Sequence, residues 1–155
     1  MRNRPLNKDE QEAAALEVKA IAAAEKDKSY EQALKYLQQA IDTAPQYPSP
    51  YNNRAQVYRL MGKMDEALED LNKAIAQSPV NDFPLVRRQA LAQRGWIYFR
   101  DESKSDAAFA DFEEAAKLGC EESKQMAVRC NPYARLCSSI MQEVFSKLYY
   151  SKPDI

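Results

Sequence analysis

The chain contains no histidine. That absence removes every Ser-His and Cys-His nucleophile arrangement, and many enzyme classes with it. It also thins the choice of metal ligands. Cys120, Cys130 and Cys137 form no C-x-x-C pair, whereas a structural zinc site takes four Cys or His ligands, so no metal and no cofactor is expected. An odd number of cysteines confined to the last quarter of the chain argues against a disulfide framework and for reduced thiols. Glycine is as scarce, with 3 in 155 residues. No phosphate-cradling loop can be built from them, and the one Gly-Lys pair, Gly62-Lys63, lacks the P-loop spacing. No apolar run approaches the ~18 residues of a membrane span, and Met1-Arg2-Asn3-Arg4-Pro5 is not followed by a signal-peptide core. A cytoplasmic chain without membrane contact is expected, with the nucleus as the alternative. Charge of one sign is missing too: 22 Lys plus Arg against 23 Asp plus Glu leave no field to gather nucleic acid.

What is present describes a folded helical chain. Hydrophobic residues at 45% are too many for a disordered segment, and 155 residues make one ordinary domain. The acidic pairs Glu69-Asp70 and Glu113-Glu114 fall at helical spacing and read as solvated faces, not as acid-base pairs, so no enzyme is expected.

The dominant signal is internal repetition. Tyr30-Glu31-Gln32-Ala33-Leu34 recurs as Met64-Asp65-Glu66-Ala67-Leu68, 34 residues later, and the same offset relates Leu37 to Leu71, Ala40 to Ala74, Ile41 to Ile75 and Pro45 to Pro79. A third copy, Ala108, Phe112 and Ala115, keeps the four-and-three spacing. About seven extra residues precede it, which we place as six between Val80 and Leu85 and one in the turn from Asp101 to Ser105. Alanine is the best helix former and, at this spacing, makes a smooth stripe where two helices approach closely. Asn7 with Glu10 forms a capping-box pattern for a first helix running to about Asp27. Pro45, Pro48 and Pro50, then Pro79 and Pro84, punctuate the following pairs. The connection from Ser78 to Pro84 is expected to be the most adaptable joint.

These residues resemble the tetratricopeptide repeat, with a bulky residue, a small residue, an aromatic, two alanines and a terminal proline at set positions. Repeat two supplies them as Tyr51, Ala55, Tyr58, Ala67, Ala74 and Pro79, with Gly62 in its turn. Repeat one departs from the pattern at Ile21 and Ala24, so its first helix is expected to pack least regularly. The resemblance implies an all-α superhelix of three helix pairs plus a C-terminal capping pair. Its expected divisions are a flexible N-terminus at 1–7, one domain over 8–150 and a flexible C-terminus at 151–155. The repeats would span 14–47, 48–81 and 85–120, with capping helices over 121–150.

In that tail, Leu118-Gly119 reads as a helix C-cap, Glu121 to Arg129 as a short helix, and Asn131-Pro132 as a new N-cap with proline at the first helical position. Leu136, Ile140, Val144, Phe145, Leu148 and Tyr149 then give one apolar face. Capping of the solenoid is its expected use, because a terminal repeat otherwise exposes its apolar side; docking or dimerisation is the alternative. A monomer is expected over a homo-oligomer.

Tyr51-Asn52-Asn53-Arg54-Ala55-Gln56, Gln93-Arg94-Gly95 and Asn131-Pro132-Tyr133-Ala134 are also similar to the small family of tetratricopeptide repeat protein 36. That resemblance implies an adaptor that binds protein or peptide, with heat-shock chaperone binding attributed to the family. The pattern places Lys19 and Lys26 of repeat one in a concave groove. Asn52, Asn53, Gln56 and Arg59 join them from repeat two, and Gln89, Gln93, Trp96 and Arg100 from repeat three. Some relatives grip a chaperone's terminal carboxylate with two lysines, two asparagines and an arginine. Only Asn53 carries over here, since Val18, Ala22, Gln89 and Gln93 stand at the other positions. Chaperone binding would then need another geometry, drawing on Arg54, Arg59, Arg87, Arg88 or Arg100. Arg54 and Arg94 have a competing use in pairing between helices, and Trp96 has one in packing against residues 121–129.

Overall fold

Nine side chains spaced four and three apart in three successive segments are exposed by 1% or less: Ala33, Leu37 and Ala40, then Ala67, Leu71 and Ala74, then Ala108, Phe112 and Ala115. The helices that carry them stack in chain order. The structure, a computed structural model, describes residues 3–26 and 28–150, with the side chains of Tyr149 and Tyr150 outside that description. It holds α1 (Lys8–Glu25), α2 (Tyr30–Thr43), α3 (Ser49–Leu60), α4 (Met64–Ala76), α5 (Pro84–Phe99), α6 (Ser105–Lys117), α7 (Glu121–Cys130) and α8 (Pro132–Tyr150). Each pair α1/α2, α3/α4 and α5/α6 is antiparallel, and each pair packs on the next. The expected end of the first helix at Asp27, the apolar Tyr149 and residues 151–155 lie outside the described parts.

Local signals fix the ends. Asn7 accepts from the Glu10 amide at 2.9 Å while its own amide donates to the Glu10 carboxylate at 2.9 Å, a complete capping box. Gly119, at φ 87°, ends α6 with its amide on the Ala116 carbonyl and the Cys120 amide on the Ala115 carbonyl, the bond pattern of a Schellman cap. The extra residue before α6 appears as a 3₁₀ turn over Glu102–Lys104. Repeat one does pack irregularly: Ala20 enters the interface and Ile21 at the small-residue position is exposed.

Three expectations change. Residues 3–7 are a strap, not a flexible end. The Arg4 amide donates to the Asp82 carbonyl at 2.7 Å, Asn3 accepts from the Leu85 amide, and the Arg4 guanidinium pairs with Glu10 and stands 4.5 Å over Phe83. The same contacts pin the connection before α5, whose Phe83 is buried beside Tyr47, so it is not the loosest joint. The capping pair is reduced to one helix. Met126 and Cys130 of α7 complete the last core cluster with Ala108 and Phe112, whereas Leu136, Ile140 and Val144 of α8 stay 58%, 50% and 43% exposed. The cause lies in the junction. Antiparallel helices need a connection of about 2–8 residues, and only Asn131, extended at ψ 118°, separates α7 from α8. One tie from α8 to α6 is the Arg135–Asp106 pair at 3.2 Å.

Gly95 marks the tightest crossing. A Cβ there would stand 2.9 Å from the ring of Phe112, which is fully buried and has no room to yield. Gly95→Ala should therefore lower stability by about 1–3 kcal/mol through overpacking, read as a fall in thermal midpoint; an unchanged midpoint would contradict this packing.

Candidate functional site

The first helices of the three pairs lie side by side, α1 against α3 and α3 against α5. Their shared face forms a groove. Between α3 and α5 it deepens to a cleft of about 680 Å³, closed at one end by the start of α7. A second cleft of about 300 Å³ shares Gln56, Arg59 and Trp96 with the first and extends to Arg100. A third, of about 280 Å³, lies between α1 and α3 and is walled by Ile21, Ala24 and Tyr30. All eight groove residues expected from repeats two and three line the first two clefts: Asn52, Asn53, Gln56, Arg59, Gln89, Gln93, Trp96 and Arg100. Lys19 and Lys26 are exposed on or beside α1 and line none of the three. Lys28 lines the third cleft instead.

A hydrogen-bonded chain runs along the floor. The Arg59 Nη1 donates to Gln93 Oε1 at 3.0 Å, and Gln93 Nε2 donates to Asn52 Oδ1 at 2.9 Å. Asn52 Nδ2 reaches Gln89 Oε1 at 3.4 Å. Asn52 is buried, so this chain satisfies an amide that could not be left unpaired cheaply, and it fixes the Arg59 guanidinium in place. Burial and then the neighbouring positive charge of Arg100 push the Arg59 pKa down, the signature of a cation without a counter-ion.

The remaining arginines have other uses. Arg54 forks Asp70 at 2.6 and 2.7 Å, Arg94 forks Asp111 at 2.8 and 2.8 Å, and Arg87 pairs with Glu114 at 2.6 Å. Arg54 and Arg87 are thereby withdrawn as ligand-binding candidates, and the helix-pairing use of Arg54 and Arg94 is the one observed. Trp96 is neither wholly buried nor wholly exposed. It packs edge-on against Phe112 and Phe99 beside the α7 core cluster, and it presents its half-buried ring to both clefts.

One polar residue was missed by the sequence reading. Glu17 of α1 is buried, and its Oε1 accepts from Ser49 Oγ at 2.6 Å and from Asn53 Nδ2 at 2.6 Å. The asparagine at the carboxylate-gripping position thus already holds a carboxylate from its own chain. Burial pushes the Glu17 pKa up to about 7 against the pull of these donors and of the Tyr47 hydroxyl. Its sequence signal was weak: a lone acid on the alanine-rich face of α1, between Ala13 and Ala20.

Helix pairs stacked through small residues, with their first helices lining a groove, define a tetratricopeptide repeat domain. The family model described as tetratricopeptide repeat matches residues 18–95, and the chain belongs to that family. Its curated relatives named tetratricopeptide repeat protein 36 include those of Danio rerio, 44% identical over 133 residues, and Xenopus tropicalis, 42% identical over 138. These alignments take in 86% and 89% of this chain and span 69% and 66% of the relatives' own lengths. Among solved structures, the first repeat domain of Spaghetti (RPAP3), bound to the HSP90 peptide SRMEEVD, superposes with a TM-score of 0.68 at 24% identity, covering 82% of this chain and 98% of that one. The N-terminal domain of stress-induced protein-1 from C. elegans gives 0.67 at 22%, covering 81% and 98%. Among the described residues no helix is long and apolar enough to cross a membrane.

Because the folded-state pKa of Glu17 lies above the ordinary 4.5, the folded chain binds its proton more tightly than the unfolded chain does. The associated stability is fully present below pH 4.5 and is lost as pH rises through about 7, a change on the order of 3 kcal/mol. Glu17→Gln keeps the acceptor and removes the titration. Its melting temperature should match the parent near pH 5 and exceed it at pH 8; parallel profiles across that range would refute the assignment.

Proposed function

We infer that the chain is a non-catalytic adaptor that holds a segment of a partner protein in the groove of α1, α3 and α5, with a heat-shock chaperone tail as the first ligand to try. The observation that carries this reading is the elongated polar cleft with an aromatic wall, continuous from Asn52 to Arg100. A domain of the same fold holds the HSP90 peptide SRMEEVD, which supports a peptide as the ligand class. The absence of histidine and the pairing of the acidic residues in structural bridges support the lack of catalysis. Titration of SRMEEVD into the full chain should give binding that weakens at least ~5-fold in Gln56→Glu, which sets a like charge on the exposed groove floor. No binding would remove the chaperone tail as ligand, and binding indifferent to Gln56→Glu would remove the groove as its site.

A second reading is a structural subunit of a larger assembly, its own copy included, that uses its convex face or its C-terminal helix; for α8 it is supported by the exposed stripe of Leu136, Ile140 and Val144. Where α8 joins two copies, the chain sediments as an oligomer and Ile140→Glu returns it to a monomer. A monomeric parent would end that form of the reading.

A further inference from the structure

Arginine partners differ between the groove and the rest of the surface. Among the described residues, Arg4, Arg54, Arg87, Arg94 and Arg135 each have a carboxylate, and none of the five lines the first two clefts. The three that do line them, Arg59, Arg88 and Arg100, form no salt bridge among the described residues, so the groove gathers three unneutralised guanidinium groups; a fourth, Arg129, lies outside both clefts and stacks 5.9 Å over Phe99. Arg88 is partly served, since it lies 3.7 Å from the Cβ position of Gly119 at the negative end of the α6 dipole. Arg59 and Arg100 also stand near helix ends, but those ends are closed by backbone. The Lys63 amide takes the Tyr58 carbonyl, the Gly62 amide takes the Arg59 carbonyl, and the Arg100 and Asp101 amides take those of Ile97 and Tyr98.

Arg59 is therefore a half-buried fork with five donors, one of which is spent on Gln93. Its orientation is set in advance by the Gln93–Asn52 chain. Arg100 is exposed and free to swing onto a bound anion, with Trp96 as an apolar wall between the two clefts. At the far end of the larger cleft, Glu121 and Glu122 reverse the charge. We propose that the groove selects an acidic peptide segment by its side-chain carboxylates, seated on Arg59 and Arg100 beside Trp96, with the uncharged or basic end of the segment toward Glu121 and Glu122. This rests on the groove reading above and differs from capture of a terminal carboxylate at Asn53, whose amide Glu17 occupies. A peptide fits the observations better than a compact phosphate because the two clefts form one elongated trough, with Arg59 and Arg100 unopposed in one part and Arg88 set beside Glu121 and Glu122 in the other.

The test uses the full chain with acetylated, amidated hexaglutamate, the matching hexaglutamine, and inorganic phosphate, followed by Trp96 fluorescence. Hexaglutamate should bind and hexaglutamine should not. Arg59→Gln and Arg100→Gln should each weaken binding by about tenfold or more, and Asn53→Ala by less than about twofold. Arg59→Gln should melt no lower than the parent, because it removes a desolvated charge without a partner, so a loss of binding in it is not a loss of fold. Failure of hexaglutamate to bind, retention of binding in both arginine variants, or equal competition by inorganic phosphate would each overturn the proposal. If SRMEEVD binds with dependence on Gln56 while hexaglutamate does not, the groove reading survives and this one falls.

Discussion

Two half-buried guanidinium forks on buried aspartates set the register on which the rest of the stack depends. Arg54 grips Asp70 on its own pair's second helix and reaches Gln38 on the preceding pair at 2.7 Å; Arg94 grips Asp111 and reaches Asn72, also at 2.7 Å. Gln38 and Asn72 are 34 residues apart, one repeat. The aspartates are almost wholly buried, so removing either partner leaves an uncompensated charge, at about 3–5 kcal/mol. The two forks span 16 and 17 residues, and the 3₁₀ turn at Glu102–Lys104 absorbs the difference. Repeat one has Ala20 where the others have arginine and lacks the fork. There the strap of residues 3–7 and the Glu17 cluster tie α1 down by other means.

The register was legible because alanine at a helix crossing leaves a mark that surface residues do not. Ala33, Ala67 and Ala108 can be found from spacing alone, and all are fully buried. Gly95 occupies the corresponding small site of α5, 40 residues after Ala55 once the six-residue insertion is counted, but repeat position does not reveal how closely the Phe112 ring approaches it. The strap was not legible for a different reason. Asn3 meets Leu85 across 82 residues, and no local pattern encodes such a meeting. Helical periodicity named the apolar face of α8 correctly but carried no information on what covers it; that was decided by a one-residue junction.

The same limit applies to the groove. Repeat position alone put Asn52, Asn53, Gln56, Arg59, Gln89, Gln93, Trp96 and Arg100 on one surface. It did not give their partners. Asn53 looked like the one surviving member of a carboxylate grip, yet it is bound to Glu17, 36 residues earlier. Arg54 and Arg59 are five residues apart on one helix, and one is neutralised while the other is not. Five residues turn the helix by about 140°, which sends Arg54 toward α4 and Arg59 toward α5, a difference that residue type alone does not reveal.

Electrostatics then divides the groove into a satisfied half and an unsatisfied half. A ligand carboxylate arriving at Asn53 finds one of the two amide N–H donors spent on Glu17 and that acidic group 2.6 Å from the same nitrogen, where a second negative charge is repelled. A carboxylate arriving at Arg59 displaces no protein acceptor and neutralises a charge that burial has already made costly. Charge-assisted hydrogen bonds are worth roughly 1.5–3 kcal/mol each, so the two halves differ by several kcal/mol in what they offer an anion. The α3–α5 end of the groove is therefore the favoured end for acidic side chains. The difference arises because the Asn53 amide already serves a carboxyl group of its own chain, Glu17, while no carboxylate among the described residues serves Arg59.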